Sequence, residues 1–130
     1  MTTPNRFIVV DDDPLNNLVC NHIILKVDPD AKITLFTNPE KALEMVQTFG
    51  ESSEKGDFVL FLDVNMPSMS GWEFLDAFES LDEKIHERFR IYMLSSSIDQ
   101  GDIEKAAANP FVRGYYPKPL SFETMGLLNL

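Results

Sequence analysis

Short apolar runs alternate along this chain with longer stretches whose apolar residues recur every three or four positions. Phe7 to Val10 is too short for a helix and reads as a strand buried on both faces. Asp13-Pro14 has the form of an N-cap followed by proline at the first helical position. From Leu15 to about Val27, residues Leu15, Leu18, Val19, His22 and Leu25 recur at helical spacing, which predicts a packed face carrying those residues. Ile33 to Thr37 predicts a second strand, and Asn38-Pro39-Glu40 repeats the cap signal for a helix to about Phe49. Gly50 to Gly56 reads as a polar loop, and Phe58 to Leu62, the most apolar run, as the central strand. Trp72 to about Leu81 predicts a helix with Trp72, Leu75 and Phe78 on one face. Arg90 to Leu94 and Val112 to Tyr116 predict two further strands, separated by a helix from Asp102 to Ala108, and Ser121 caps a short last helix. Five strands alternating with five helices cannot be hairpins. They imply right-handed crossovers and a parallel sheet covered on both faces.

At 130 residues the chain has the size of one domain with one adequate core, which excludes a two-domain enzyme. The formal net charge of -10 disfavours direct contact with nucleic acid or anionic lipid. Cys20 is the only cysteine, so no internal disulfide forms, which fits a reducing, cytoplasmic setting. No apolar run has the length of a membrane span or of a signal-peptide core.

The apolar runs end in polar residues. The first stops at Asp11-Asp12-Asp13, the third at Asp63 and the fourth at Ser95, and the fifth runs into Lys118. Open parallel sheets bind ligands outside the carboxyl ends of their strands, so these groups should converge on one rim. Two carboxylates about 4 Å apart repel by roughly 4 kcal/mol at an effective dielectric of 20. Such a cluster raises its own pKa values or recruits a cation, and an all-oxygen site suits Mg²⁺.

Phe7-Ile-Val-Val-Asp-Asp-Asp-Pro14, Phe61-Leu-Asp-Val-Asn-Met-Pro67 with Gly71, Met93-Leu-Ser95 and Gly114-Tyr-Tyr-Pro-Lys-Pro-Leu120 together resemble the receiver domain of two-component response regulators. The resemblance runs from about Arg6 to Phe122. It implies a flavodoxin-like (βα)5 fold with strand order 2-1-3-4-5, and residues 1–130 are expected to form a single receiver domain. Asp63 matches the phosphoacceptor. Asp12, Asp63 and the backbone carbonyl of Asn65 match the Mg²⁺ ligands, with Asp11 acting through water. Lys118 matches the residue that pairs with Asp63 or the phosphoryl group, and its bond to Pro119 matches a cis peptide. Ser95 matches the switch hydroxyl and Tyr115 the switch aromatic. Asn65 and Ser97 match positions that tune dephosphorylation.

The implied function is that of a signalling phosphoacceptor rather than an enzyme acting on other substrates. A histidine kinase or histidine phosphotransfer protein would supply the phosphate. The chain stops at Leu130 with no helix-turn-helix or enzyme attached, so the expected output is contact with a downstream protein or onward relay of phosphate.

Some features depart from the family's common pattern. The Gly50–Asp57 loop is long, the last helix is short, and Ser96 follows Ser95 where a small residue, often Ala, is usual. Two other functions stay open. Asp11-Asp12-Asp13 also resembles the Asp-x-Asp signature of haloacid-dehalogenase-type hydrolases, in which Asp11 would carry the phosphate. A binding module on the same fold needs none of this chemistry. Elsewhere, His22 reads as a packed residue, His86 as solvated and Cys20 as a small apolar filler. The apolar tail, Met125 with Leu127 to Leu130, reads as packing on the sheet or as a homodimer contact.

Overall fold

A computed structural model describes residues 5–52 and 56–128. Part of the predicted polar loop, the first four residues and the last two of the apolar tail lie outside the described residues. The chain runs β1 (Arg6–Val10), α1 (Pro14–Val27), β2 (Lys32–Phe36), α2 (Pro39–Glu51), β3 (Phe58–Asp63), α3 (Gly71–Glu79), α4 (Glu83–His86), β4 (Phe89–Ser95), α5 (Gln100–Ala108), β5 (Val112–Pro117) and α6 (Phe122–Leu127). The five strands form one parallel sheet in the order β2-β1-β3-β4-β5, a flavodoxin-like arrangement.

Successive strand residues point to opposite faces, so each central strand feeds two cores. Phe58, Leu60 and Leu62 join Ile8, Val10, Ile91 and Met93 beneath α2, α3 and α4. Val59 and Phe61 join Phe7, Val9, Tyr92 and Leu94 beneath α1 and α6, with Cys20, Ile24, Leu120 and Met125. All six residues of β3 are buried, as its unbroken apolar run requires. The predicted caps form: Asp13, Asn38 and Ser121 each accept a backbone N–H of the first turn of their helix. Ser70 and Glu73 add a reciprocal capping box at α3.

Four expectations need correction. α1 turns a different face inward: Asn16, Asn17, Cys20 and Ile24 are buried, whereas Leu15, Leu18, His22 and Leu25 are exposed. The reason is local, because the first turn of α1 lies over the polar ends of β1 and β2 and its asparagines supply the donors those ends need. On α3 the buried residues are Phe74, Leu75 and Phe78, and Trp72 is only half-buried. A sixth helix, α4, occupies a segment that has no helical period long enough to read. Its His86 is packed rather than solvated. The ring lies against Phe78 and Phe111, and Nε2 is 2.7 Å from the Phe78 carbonyl oxygen.

Candidate functional site

The sheet register brings the polar strand ends together. Val10 pairs with Leu62, so Asp11 and Asp63 emerge side by side. Asp63 pairs with Leu94, and Ser95 pairs with Pro117, so Ser95 and Lys118 follow on the next strands. The backbone N–H of Lys118 donates to the Ser95 carbonyl at 2.8 Å, tying the lysine to the rim just before the cis Lys118-Pro119 bond. Gly71 allows the 64–70 loop to fold back. Its N–H bonds the Val64 carbonyl, and an added Cβ would lie 2.6 Å from the Asp63 carbonyl oxygen.

Carboxylate oxygens of Asp11, Asp12 and Asp63 lie within 4.8 Å of one another. Asp11 and Asp63 are only 2% and 4% exposed, while Asp12 faces solvent. The Lys118 ammonium bridges the buried pair, 2.8 Å from Asp11 Oδ2 and 3.0 Å from Asp63 Oδ1. Burial opposes the lysine's charge, but its hydrogen bonds to the two carboxylates prevail and hold its pKa above the ordinary lysine range. Asp63 behaves the other way. Burial dominates, the Asp11 charge adds to it, and Lys118 offsets only part, so the carboxyl is pushed up to about 6.

The two buried carboxylates differ in what holds them. Asp11 accepts from the Asp13 N–H on Oδ1 at 2.9 Å and from the Asn16 amide on Oδ2 at 2.6 Å, besides Lys118. Asp63 Oδ1 takes Lys118 and a long contact from the Asn65 N–H at 3.4 Å. Its Oδ2 takes no hydrogen bond from the described residues.

Ser95 is buried and Ser96 exposed, so of the two only the first sits at the rim with an enclosed hydroxyl. Ser95 Oγ donates to the Ser97 carbonyl at 2.7 Å, and the Tyr115 hydroxyl donates to the same oxygen at 3.2 Å. Asn65 and Ser97 are exposed beside the rim. Asn16 and Asn17 were not foreseen from the sequence. Their one signal was an adjacent polar pair interrupting the first turn of an otherwise apolar helix. Cys20 lies buried near Asn16, and burial pushes its thiol up to about 12, which fits an inert filler.

The donor set suits a hard cation. Three carboxylates less one ammonium leave two negative charges, and all the free donors are oxygens. Among the described residues, no helix is long and apolar enough to cross a membrane.

A doubly wound parallel sheet with an acidic trio and a lysine on its carboxyl rim defines a narrow class, and comparison with known proteins specifies it. Residues 7–126 match the profile of the response regulator receiver domain, and the chain belongs to that family. Such an acidic trio is typical of receiver Mg²⁺ sites. The crystal structure of a response regulator receiver protein from Dyadobacter fermentans is 30% identical, covers 95% of this chain and 93% of its own, and superposes with a TM-score of 0.84. A two component response regulator from Cytophaga hutchinsonii is 25% identical, covers 97% of this chain and 94% of its own, and gives a TM-score of 0.88. Stress response regulator protein 1 of Lodderomyces elongisporus is 31% identical over 67 residues, and the aligned part is 52% of this chain but only 17% of that protein.

Proposed function

We propose that this receiver accepts a phosphoryl group on Asp63 from a histidine kinase or histidine phosphotransfer protein and signals through the changed surface. The observation that carries this reading is the open Oδ2 of Asp63, set against an Asp11 whose two oxygens already hold three donors. A nucleophile is best served by an oxygen that no donor occupies, and of the pair only Asp63 has one, its Oδ2. The same contrast disfavours the hydrolase reading, which would phosphorylate Asp11.

In the proposed reaction an Asp63 oxygen forms a bond to phosphorus as the donor's P–N bond breaks. The imidazole leaves and takes up a proton from solvent. Lys118 transfers its Asp63 hydrogen bond to a phosphoryl oxygen. Mg²⁺, held by Asp12, Asp63 and the Asn65 carbonyl with Asp11 through water, would offset charge on the phosphoryl oxygens. The Ser95 hydroxyl leaves the Ser97 carbonyl for the phosphoryl group, and Tyr115 is left alone on that carbonyl. Tyr115 then turns inward into the space that Ser95 vacates, and its two positions bias the surface around α5, β5 and α6 that a partner reads. Asn65 and Ser97 are small, polar and exposed, which leaves water a path for dephosphorylation; a phosphorylated half-life of many hours in the presence of Mg²⁺ would overturn that part.

The phosphodonor's docking ground would be α1. Leu15 and Leu18 are 68% and 60% exposed, and they begin just after the Asp11–Asp13 rim. With His22 and Leu25 they form a stripe at the spacing one helix offers another.

The deciding experiment is intact-mass measurement after incubation with acetyl phosphate and Mg²⁺. Wild type gains one phosphoryl increment and Asp63→Asn gains none. A gain that survives in Asp63→Asn but disappears in Asp11→Asn sinks this proposal in favour of the hydrolase.

A further inference from the structure

Asp11 is restrained at every polar atom. Its N–H donates to the Phe36 carbonyl at 3.0 Å, and its carbonyl accepts from the Asn17 amide at 3.1 Å. The same Asn17 amide also reaches the Phe36 carbonyl at 3.2 Å, so it pins the ends of β1 and β2 to each other. On the side chain, Oδ1 takes the Asp13 N–H and Oδ2 takes both Asn16 and Lys118. A carboxylate has about four lone-pair sites, so these three donors leave one for a further partner such as a metal-bound water. Asn16 is the only uncharged side chain among those donors, and it comes from α1 rather than from a strand end.

We propose that Asn16 is a positioning residue: its amide fixes the Asp11 carboxylate so that Lys118 can shift toward the phosphoryl group without drawing Asp11 after it. This inference rests on the receiver reading above. The physical reason is the shared oxygen. Asp11 Oδ2 lies 2.8 Å from the ammonium, and without a second donor its only strong restraint on that side would be the group that has to move. Asn16 is buried and short, its amide is uncharged at every pH, and it sits on a helix turn that Asn17 locks to the sheet. It can therefore stay in place while the charged partner is redistributed. An orientation set in this way would act on cation binding and on phosphoryl acceptance together.

The test uses Asn16→Leu, which keeps the branching of the side chain and removes the donor, Asn16→Ala as a second donor-free variant should the leucine fail to fold, and Asn16→Gln, which restores an amide. Calorimetry on the unphosphorylated proteins measures Mg²⁺ affinity, and intact mass against time measures phosphorylation by acetyl phosphate at saturating Mg²⁺. Losing the support of such a carboxylate is expected to weaken Mg²⁺ binding and to slow phosphorylation by about tenfold each, with Gln recovering most of both. A purely structural role would lower the thermal midpoint and leave Mg²⁺ affinity unmoved. Donor-free variants within twofold of wild type in both measurements overturn the proposal, as does a folded Gln variant as impaired as Leu. If wild type binds Mg²⁺ but never gains phosphate on Asp63, the receiver reading fails while the calorimetric arm still judges Asn16. If wild type binds no Mg²⁺, both fail.

Discussion

Asp11 and Asp63 end neighbouring parallel strands, are almost equally buried and share one lysine, yet their surroundings differ in donor count. Asp11 meets a backbone N–H, an amide and an ammonium, whereas Asp63 meets the ammonium and one long backbone contact. Two identical functional groups thus have two environments. One has a donor on each oxygen and is held in place, the other is pushed toward its protonated form with one oxygen clear of donors. The lesson is that burial alone does not tell two carboxylates apart; the number and origin of their donors does.

The largest expected effect separates the two directly. Asp63→Asn should lose the phosphoryl mass increment altogether, while Asp11→Asn should still label on Asp63, about 10- to 100-fold more slowly. Equal losses in both would erase the distinction. Next, Lys118→Met removes the cation both carboxylates share. At neutral pH without metal it should lower unfolding free energy by about 3 kcal/mol, the low end for a broken buried pair because Lys118 keeps 16% side-chain exposure. Denaturant midpoints measure this, and the loss should shrink as pH falls to about 6 and below, where Asp63 takes up its proton.

The pH dependence of the metal-free protein sharpens the contrast further. The folded-state pKa of Asp63 is raised from 3.8 to about 6, so the folded state binds that proton more tightly than the unfolded chain does. Its contribution is full below about pH 4 and is lost as pH rises through about 6, amounting to roughly 3 kcal/mol across the window. Asp63→Asn should flatten that limb, and unfolding followed from pH 4 to 8 reads it. The smallest effect concerns the rim. Leu15→Ser with Leu18→Ser should slow transfer from a phosphohistidine protein by about tenfold, the scale of an interface hot spot, and leave acetyl phosphate labelling unchanged.

The fold was legible because strands separated by helices admit few arrangements, and because β3 is apolar at every interior position. The site was legible as strand-end chemistry: Asp11, Asp63 and Lys118 meet through register, which the parallel topology fixes. The face of α1 was not legible. Periodicity assumes that a helix buries its apolar stripe, and α1 instead turns Asn16 and Asn17 toward backbone carbonyls and a carboxylate. His86 was misread for a related reason. Its neighbours in sequence are charged, but its neighbours in space are Phe78 and Phe111. Four residues of α4 are too few to show a period.

The hydroxyls of Ser95 and Tyr115 converge on a main-chain oxygen, that of Ser97. Whatever displaces one donor is therefore felt by the other through an atom that no codon replaces. Alanine scanning at position 97 would leave this link intact and score the residue as silent. Only surgery on the peptide unit itself, such as an amide-to-ester exchange that weakens that carbonyl as an acceptor, would expose it.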